Sequence, residues 1–429
     1  MDFSPTKIVK HSSFLLALCW LVSPTVAVAQ QYYDPGLLRK TVDRKPVDLQ
    51  SAGIRLGSFA LKTGADIALE HNDNIYYRES IESSDSIIHV RPWASLNSDW
   101  SRHKLNLSAY ADIGRYDDFG SEDYEDWALN LDGRIDVKRG SYFNYAATYM
   151  QLHENRSSPD DVRGIAPTQF SFSGFGAGYS HNFNRVTAAL NFATVDTDYD
   201  NNINGDGNIL DNQDRDRTRN ALTLRLGYEL SPKRSVFIGF ESNEVDYDRK
   251  FDNNGFARSS DGYKLQSGVY WDLTGVLTGD VFVEYLDQEF DDPTFNNIEG
   301  FGIGANLDWT PTELTNINVR FANSPQETTQ SSTSGYFSTL YSVRLQHEFR
   351  RNLLANVRLS YTNNDYEFSG SGTNALIDTE VVRAGLGMVY LFNRHVYISG
   401  GYIYEDQKAN TPIFDYTTNR WFVTLGLDL

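Results

Sequence analysis

The sequence has a single cysteine among its 429 residues, Cys19, and that residue lies inside an N-terminal apolar run. Lys7 and Lys10 precede this run, which is 14–22, and a small-x-small pattern at 27–29 follows it. These features predict a cleaved signal peptide over residues 1–29. The residue before Cys19 is leucine rather than a small residue, which argues against lipoprotein processing. The mature chain would then have no disulfide, so its stability must come from a large sheet or from a membrane.

Long apolar runs are also absent. Beyond the signal peptide, no segment approaches the ~20 apolar residues that a membrane-spanning helix needs. The mean hydropathy is −0.47 and only 40% of the residues are hydrophobic. A β-barrel with a wet interior has such an average, because half of each strand faces water.

Positive charge is scarce as well. There are 38 Lys and Arg against 57 Asp and Glu, which gives a formal net charge of −19. No basic stripe is available to neutralise phosphates, so nucleic acid is excluded as a partner.

Alternation of apolar and polar residues with a period of two is repeated many times from residue 58 to residue 429. It is clearest at 105–113, 222–230, 317–321, 341–346 and 357–361. Successive side chains of a strand point to opposite faces, so each segment has one apolar and one polar face. The strands are about ten residues or longer, which suits a tilted crossing of a membrane. Residues 30–57, which contain Pro35 and Pro46, are expected to form a periplasmic tail or a short plug.

The connections between these segments alternate in length. Short polar turns are predicted at 101–103, 138–140, 182–184, 231–233, 274–275, 311–313, 350–352 and 393–395. Longer acidic stretches lie between them, as at 71–83, 156–165, 199–215, 248–257, 326–334 and 368–376. Short turns at one rim and long loops at the other are typical of outer-membrane barrels. We therefore expect an all-β fold, a transmembrane antiparallel up-and-down β-barrel of about 18 strands (16–18), with both termini periplasmic.

Tyrosines stand beside acidic residues at the long-loop ends of several strands, for example Tyr116, Tyr199, Tyr247, Tyr366 and Tyr404. One interpretation is an acidic mouth that attracts cations or repels anions. The other is an aromatic girdle at the headgroup level, capped by solvated loop charges.

Residues 200–211 fit the spacing of a calcium-binding loop, with oxygen ligands at alternate positions and a glycine at the turn. The candidate ligands are Asp200, Asn202, Asn204, Asp206 and Asp211. Position twelve is the short Asp211 rather than a bidentate glutamate, and no helices flank the loop. A solvated surface loop is the alternative interpretation. No other cofactor is expected.

Charged and aromatic side chains are predicted on the inward face. The arginines Arg225, Arg320, Arg344, Arg358 and Arg383 are expected to face the acidic residues Glu229, Glu241, Glu284, Glu348 and Asp112. They would either guide a polar solute or neutralise one another and hold the shape of the barrel. Trp93, Phe282 and Tyr397 are candidates for stacking on sugar rings, or for filling a narrow lumen.

An enzymatic role is not expected. The seven histidines of the mature chain are scattered, and no nucleophile pattern such as G-x-S-x-G lies near them.

Several segments resemble the putative β-barrel porin 2 family, namely 53–59, 70–76, 100–103 and 112–116. The resemblance implies an outer-membrane barrel associated with exopolysaccharide production and export in Gram-negative bacteria. It also implies a passage for polysaccharide or other polar solutes, with a periplasmic export protein as a partner. The final strand, 421–429, is similar to the signal that the barrel-assembly machinery reads, although it ends in leucine rather than Phe or Trp. Outer-membrane lipid and lipopolysaccharide are the remaining expected partners.

Two alternatives remain open. A non-conducting surface barrel would display adhesive loops or anchor an assembly. A secreted soluble β-sandwich would pack its apolar strand faces on each other and have loops of equal length at both ends.

Overall fold

The computed structural model describes residues 49–429, apart from residues 81, 159, 274, 328–332 and 369–377. The predicted signal peptide and most of the predicted tail therefore lie outside the described residues, as do parts of the predicted loops 326–334 and 368–376. Within the described ranges, no helix is long and apolar enough to cross a membrane.

The described chain is built from β-strands, with three short 3-10 turns at Gly120–Glu122, Gln213–Arg215 and Pro412–Phe414. The strands are β1 (Ile54–Leu56), β2 (Phe59–Asn72), β3 (Asp85–Ser98), β4 (Lys104–Tyr116), β5 (Tyr124–Lys138), β6 (Ser141–His153), β7 (Gln169–Phe183), β8 (Val186–Tyr199), β9 (Asn202–Ile203), β10 (Ile209–Leu210), β11 (Arg217–Ser231), β12 (Arg234–Tyr247), β13 (Ser260–Asp272), β14 (Leu277–Phe290), β15 (Ile298–Thr312), β16 (Thr315–Glu327), β17 (Thr333–Arg350), β18 (Leu353–Phe368), β19 (Thr379–Leu391), β20 (Val396–Ala409) and β21 (Tyr416–Asp428).

Eighteen of these strands, β2–β8 and β11–β21, form one antiparallel sheet that closes on itself, because β2 pairs with both β3 and β21. The predicted eighteen-stranded antiparallel barrel is confirmed. Strand β1 pairs antiparallel with the first residues of β2, and β9 and β10 form a small hairpin inside one loop. Closure removes the two unpaired edges that an open sheet would present.

The two rims of the barrel differ in the length of their connections. The eight connections of the short-turn rim have two to five residues and coincide with the eight predicted turns. The nine connections of the long-loop rim have five to seventeen residues. Strand β2 begins and β21 ends at the short-turn rim.

Alternation divides each strand between an outer and an inner face. In β11, Leu222, Leu224 and Leu226 point outward and are exposed. Thr223 and Arg225 lie between them and point inward, where their cross-strand partners on β12 are Glu241 and Gly239. The outer face is therefore apolar and the inner face polar, as a barrel in lipid requires.

The aromatic girdle is present, but the tyrosines beside acidic residues do not build most of it. Tyr199, Tyr247 and Tyr366 point inward by register. Tyr366 is buried and stacks on Tyr336 with ring centroids 4.5 Å apart. For these three tyrosines the girdle interpretation is wrong, because their register places the rings on the inner face, away from lipid. Tyr404 points outward. Outward aromatics supply the girdle instead, including Trp127, Tyr149, Tyr263, Tyr285, Phe301, Tyr341, Tyr402 and Trp421.

The end of the N-terminal tail reaches inside the short-turn rim. Leu49 packs against a buried apolar cluster on the inner face, formed by Leu354, Val389, Leu391 and Tyr397. This apolar cluster interrupts the polar inner face near the short-turn rim, where Leu49 lies.

Candidate functional site: the inner wall of the barrel

The candidate site is the inner wall, and every charged residue predicted to face inward lies on it by register. These residues are Asp112, Arg225, Glu229, Glu241, Glu284, Arg320, Arg344, Glu348, Arg358 and Arg383. Their partners, however, are mostly not one another. The ion pairs form between neighbouring strands, because directly opposed side chains on neighbouring strands lie only about 5 Å apart.

Two groups of ion pairs lie along the inner wall between β19 and β4. One joins Arg383 on β19 to Glu405 on β20. The other is a network that crosses the seam where β21 meets β2, and it consists of Arg420, Glu70, His89, Asp112 and Arg91. Arg383 Nε donates to Glu405 Oε2 at 2.8 Å, and Arg91 Nε donates to Asp112 Oδ2 at 2.8 Å. Across the seam, Arg420 Nη1 lies 3.7 Å from Glu70 Oε1.

His89 lies between two carboxylates in this network. Its Nδ1 is 3.2 Å from Asp112 Oδ1, and its Nε2 is 3.6 Å from Glu70 Oε2. The Tyr124 hydroxyl is also 3.2 Å from Nδ1. His89 is only 1% exposed. Buried charges of this kind need partners, and the network supplies them from strands at both ends of the chain.

Hydrogen bonds reinforce the same seam. The Tyr397 hydroxyl donates to Asp66 Oδ1 at 2.6 Å, and Thr418 Oγ1 donates to Asn72 Oδ1 at 2.7 Å. The partners in each pair are more than 300 residues apart in sequence. Sequence reasoning missed Glu70, His89, Arg91, Glu405 and Arg420. The one available signal was their position on the polar face of an alternating strand.

A second, smaller group of charges lies on β11–β14. Arg219 and Lys264 each approach Glu241 to 3.5 Å, and Gln266 donates to Glu284 at 3.4 Å. Arg225 lies over the Phe237 ring, 3.7 Å from its centroid. Arg225 therefore makes a cation–π contact with a neighbouring strand.

The three predicted sugar-stacking aromatics face inward, but they lie against the wall. Phe282 is 8% exposed and Tyr397 3% exposed, and Trp93 is half-buried. Each ring covers a glycine of a neighbouring strand: Gly64 under Trp93, Gly304 under Phe282 and Gly426 under Tyr397. Rings placed over strand glycines restore packing that the glycine lacks. Of the three, Trp93 has the most surface available to a solute.

The predicted calcium ligands are spread over a loop whose polar groups already have protein partners. Asn202 Nδ2 donates to Ala166 O, and Asp211 Oδ2 accepts from Arg249 at 2.6 Å. Asn204 Oδ1 accepts from the backbone N–H of Asp206. Among the described residues, no group of three or more His, Cys, Asp or Glu could hold a metal ion. The calcium site stays a prediction from the sequence.

Loops of the long-loop rim are joined by buried ion pairs. Arg156 binds Glu122 with two hydrogen bonds of 2.7 and 2.8 Å, linking the β6–β7 and β4–β5 loops. Arg215 binds Glu154 with bonds of 2.7 and 3.0 Å, linking the β8–β11 and β6–β7 loops. Arg163 lies over the Phe414 ring in the β20–β21 loop, 5.1 Å from its centroid. The β6–β7 loop therefore contacts loops from widely separated parts of the barrel.

The stability of the packed β6–β7 loop depends on pH through Asp161. Burial raises its pKa from an ordinary 3.8 to about 6, and Glu154 adds to the rise while Arg156 opposes it. In the unfolded loop the Asp161 carboxyl loses its proton from about pH 4. In the packed loop it keeps its proton until about pH 6. Loop stability is therefore highest below about pH 4 and declines by up to about 3 kcal/mol as the pH rises to 6.

We expect hydrogen-exchange protection of residues 154–168, corrected for intrinsic rates, to be lower at pH 7 than at pH 4.5. Asp161→Asn should flatten this slope, since it removes the titrating group. Asp206→Asn, at the exposed tip of the next loop, is the control and should keep the wild-type slope. An unchanged slope in Asp161→Asn would contradict the assignment.

Solved structures with similar folds are outer-membrane barrels of low identity. Pseudomonas aeruginosa OpdL is 13% identical, covering 87% of this chain and 100% of that chain at a TM-score of 0.43. OccK2 (OpdF) from the same organism, in complex with glucuronate, is 11% identical, with coverages of 87% and 99% and a TM-score of 0.46. Its siderophore receptor PirA is 7% identical, with coverages of 86% and 80% and a TM-score of 0.45. A likeness this weak carries no argument about what the present chain does.

The family of the chain is shown by a match to a protein-family model. No curated protein matches the chain. The model for putative beta-barrel porin 2 matches residues 45–429, which include every strand of the closed sheet. The resemblance seen in the sequence is thereby confirmed. The chain belongs to the putative beta-barrel porin 2 family, and it is a porin-like β-barrel of the outer membrane.

Proposed function

We propose that the barrel conducts polar solutes across the outer membrane. The observation that carries the proposal is the inner wall, whose charged side chains are in part accessible to water. Glu229, Asp308 and Arg320 point inward and are exposed. A closed sheet of about eighteen strands encloses an aqueous channel when its inner face is polar.

The orientation and the biological setting are parts of the same proposal. The short-turn rim would face the periplasm, since outer-membrane barrels carry their long loops outside. The start of β2 and the end of β21 lie at this rim. The solute would be a polysaccharide or its fragments in an exopolysaccharide system, as the family resemblance implies. A periplasmic export protein would meet the short-turn rim, and lipopolysaccharide and the barrel-assembly machinery would contact the outer face. Glycosyltransferase and export genes beside the gene would support this setting, and their absence would count against it.

Planar-bilayer recording tests conduction. The purified mature chain should give stable unitary current steps. In Arg320→Cys, a charged methanethiosulfonate reagent should change the step size, because position 320 points into the lumen. Val319→Cys, one residue away on the outer face, is the matched control and should not respond. A bilayer that stays silent would overturn the channel, and steps that are unaffected at both positions would contradict the inner wall as the conducting path.

The second candidate is a non-conducting surface barrel, which the packed loops favour. Buried ion pairs such as Arg215–Glu154 hold these loops in defined positions, as a binding surface requires. A silent barrel whose ligand binding is lost when the β6–β7 loop is shortened would support this candidate.

A further inference from the structure

The chain that precedes β2 cannot continue along the barrel sheet. Strand β1 pairs with residues 59–61 at one edge of β2, but the end of β21 occupies the same edge from Gly64 onward. Leu429 extends this pairing, since its backbone N–H donates to the Thr63 carbonyl oxygen at 2.7 Å. Traced towards the N-terminus, the chain therefore has to leave the sheet directly before β1.

Gly53 is the position at which the chain leaves the sheet. Its φ is +70°, a left-handed conformation that glycine adopts without strain. A Cβ at this position would lie 2.6 Å from the backbone oxygen of Leu61, so a side chain would obstruct the turn. Four residues earlier, Leu49 packs on the buried apolar cluster of the inner face. The turn at Gly53 therefore leads the preceding chain into the barrel.

A recess in the inner wall begins at this cluster. Asn356 on β18 is the next inward residue after Leu354, and Ser399 on β20 is the next after Tyr397. Gly387 on β19 is directly opposed to Asn356 and has no side chain to fill the space beside it. We name the apolar cluster, together with Asn356, Gly387 and Ser399, the inner recess.

The polar groups of the inner recess are buried and unsatisfied. Asn356 is 2% exposed and Ser399 is 3% exposed. Among the described residues, none forms a hydrogen bond with Oδ1 or Nδ2 of Asn356 or with Oγ of Ser399. Buried polar groups are as a rule hydrogen-bonded, so these atoms mark a place where further polar groups belong. An amide offers a donor and an acceptor side by side, which match the C=O and N–H groups of a peptide backbone.

We propose that residues 37–48, the segment directly before Leu49, dock in the inner recess and narrow the passage at the short-turn rim. Leu49 brings this segment to the recess. Asn356 lies about 7 Å along β18 from Leu354, a distance that two or three residues of extended chain cover. The segment has backbone groups for Asn356 and Ser399. For the apolar cluster it has the side chains of Leu37, Leu38, Val42 and Val47.

Charge complementarity favours the same occupant. Residues 37–48 include four basic and two acidic residues, whereas the whole chain has a formal net charge of −19. Glu348 on β17 points inward and is directly opposed to Leu354 of the recess. Asp66 lies at another side of the recess, where it accepts a hydrogen bond from the Tyr397 hydroxyl at 2.6 Å. Acidic side chains at the edges of an apolar site attract a basic segment and help to fix its register.

Two parts of the proposal have different foundations. Docking of the segment does not require conduction. Narrowing of the passage rests on the proposed conduction of polar solutes, and it adds a regulatory element to that function.

Disulfide cross-linking of the folded barrel in detergent tests the docking. The chain from residue 30 onward contains no cysteine, so pairs can be introduced cleanly. Arg44→Cys or Val47→Cys, each combined with Asn356→Cys, should give an intramolecular disulfide on oxidation, because docking brings the Cα atoms to about 4.4–6.8 Å. The closed loop changes the mobility of the denatured chain in gels. Val357→Cys, one residue away on the outer face, is the matched control and should not cross-link.

Thiol labelling of Asn356→Cys tests whether the segment covers the recess. Removal of residues 30–48 should speed labelling by a water-soluble maleimide about tenfold or more. Leu49→Asp in the intact chain should speed it too, since a carboxylate does not pack on an apolar cluster. Thr223→Cys points inward on the opposite part of the wall, and its labelling rate should be the same in all three chains.

Three results would overturn the docking. They are the absence of a disulfide, a disulfide that forms equally at positions 356 and 357, and labelling of Asn356→Cys that is equally fast with and without the segment. The last would show a recess that is open to a separate partner.

Bilayer recording then separates docking from conduction. The shortened chain should give larger unitary current steps than the intact chain. Equal steps in both chains would contradict the narrowing. Silent bilayers from both chains, with the disulfide formed, would remove the channel and leave the docking standing.

Discussion

Leu224→Arg is expected to lower the free energy of unfolding of the lipid-inserted barrel by about 2–4 kcal/mol, the cost of an arginine at the bilayer midplane. Leu224 is at the centre of β11, on the outer face and 43% exposed in the isolated chain. Its cross-strand partners, Leu190 and Phe240, are apolar and point outward too. No water is available there to solvate a guanidinium group.

Thr223→Arg is the matched control, since it introduces the same side chain one residue away. Thr223 points inward and its hydroxyl lies 3.4 Å from Glu241 Oε2, so an arginine there meets water and a carboxylate. Its effect should stay within about 1 kcal/mol, the range of ordinary solvated ion pairs. Urea unfolding in liposomes measures both variants. Equal destabilisation by the two variants would contradict the assignment of the faces.

Glu405→Ala is expected to destabilise the barrel by about 3–5 kcal/mol, as removal of one partner from a buried ion pair does. Glu405 is 1% exposed and accepts hydrogen bonds from Arg383 Nε and from the Tyr416 hydroxyl, both at 2.8 Å. Truncation leaves the Arg383 charge inside the wall without this carboxylate. Heat-dependent mobility of the folded barrel in gels, with urea titration, measures the loss.

Two variants isolate the cause. Asp406→Ala removes the carboxylate of the residue that follows Glu405 on β20. This carboxylate is on the outer face, 4.0 Å from Lys408 Nζ, and its loss should lower the free energy of unfolding by at most about 1 kcal/mol. Changing Glu405 and Arg383 together to leucine should recover much of the loss, because the Arg383 charge that had lost its carboxylate is removed as well. If the double variant were as unstable as Glu405→Ala, desolvation of Arg383 would not be the reason.

The fold could be predicted because its two determinants are local. Period-two alternation assigns a face to each residue of a segment such as 222–230, and short polar turns such as 231–233 separate one strand from the next. Counting turns therefore yields the number of strands, and an even number closes the sheet with both ends at one rim.

The side-chain contacts of the inner wall and of the loops could not be predicted in the same way. Alternation places Glu70 and Arg420 on the inner face, but only closure brings β2 beside β21 and the two side chains together. The same limit explains the tyrosines, since Tyr366 beside an acidic residue has the composition of a girdle but the parity of an inward position. Loop contacts such as Arg163 on Phe414 depend on how long connections fold over the barrel, and no periodicity encodes that.

The central claim is that lipid contacts every second side chain of a closed sheet while water contacts the others. Collision accessibility of spin labels along β11 tests it most directly, with single cysteines at positions 222 to 227 of the mature chain in liposomes. Labels at Leu222, Leu224 and Leu226 should collide with oxygen dissolved in the bilayer, and labels at Thr223, Arg225 and Gly227 with a water-soluble nickel complex. Uniform accessibility along the strand, or protection of both faces from both reagents, would contradict the account.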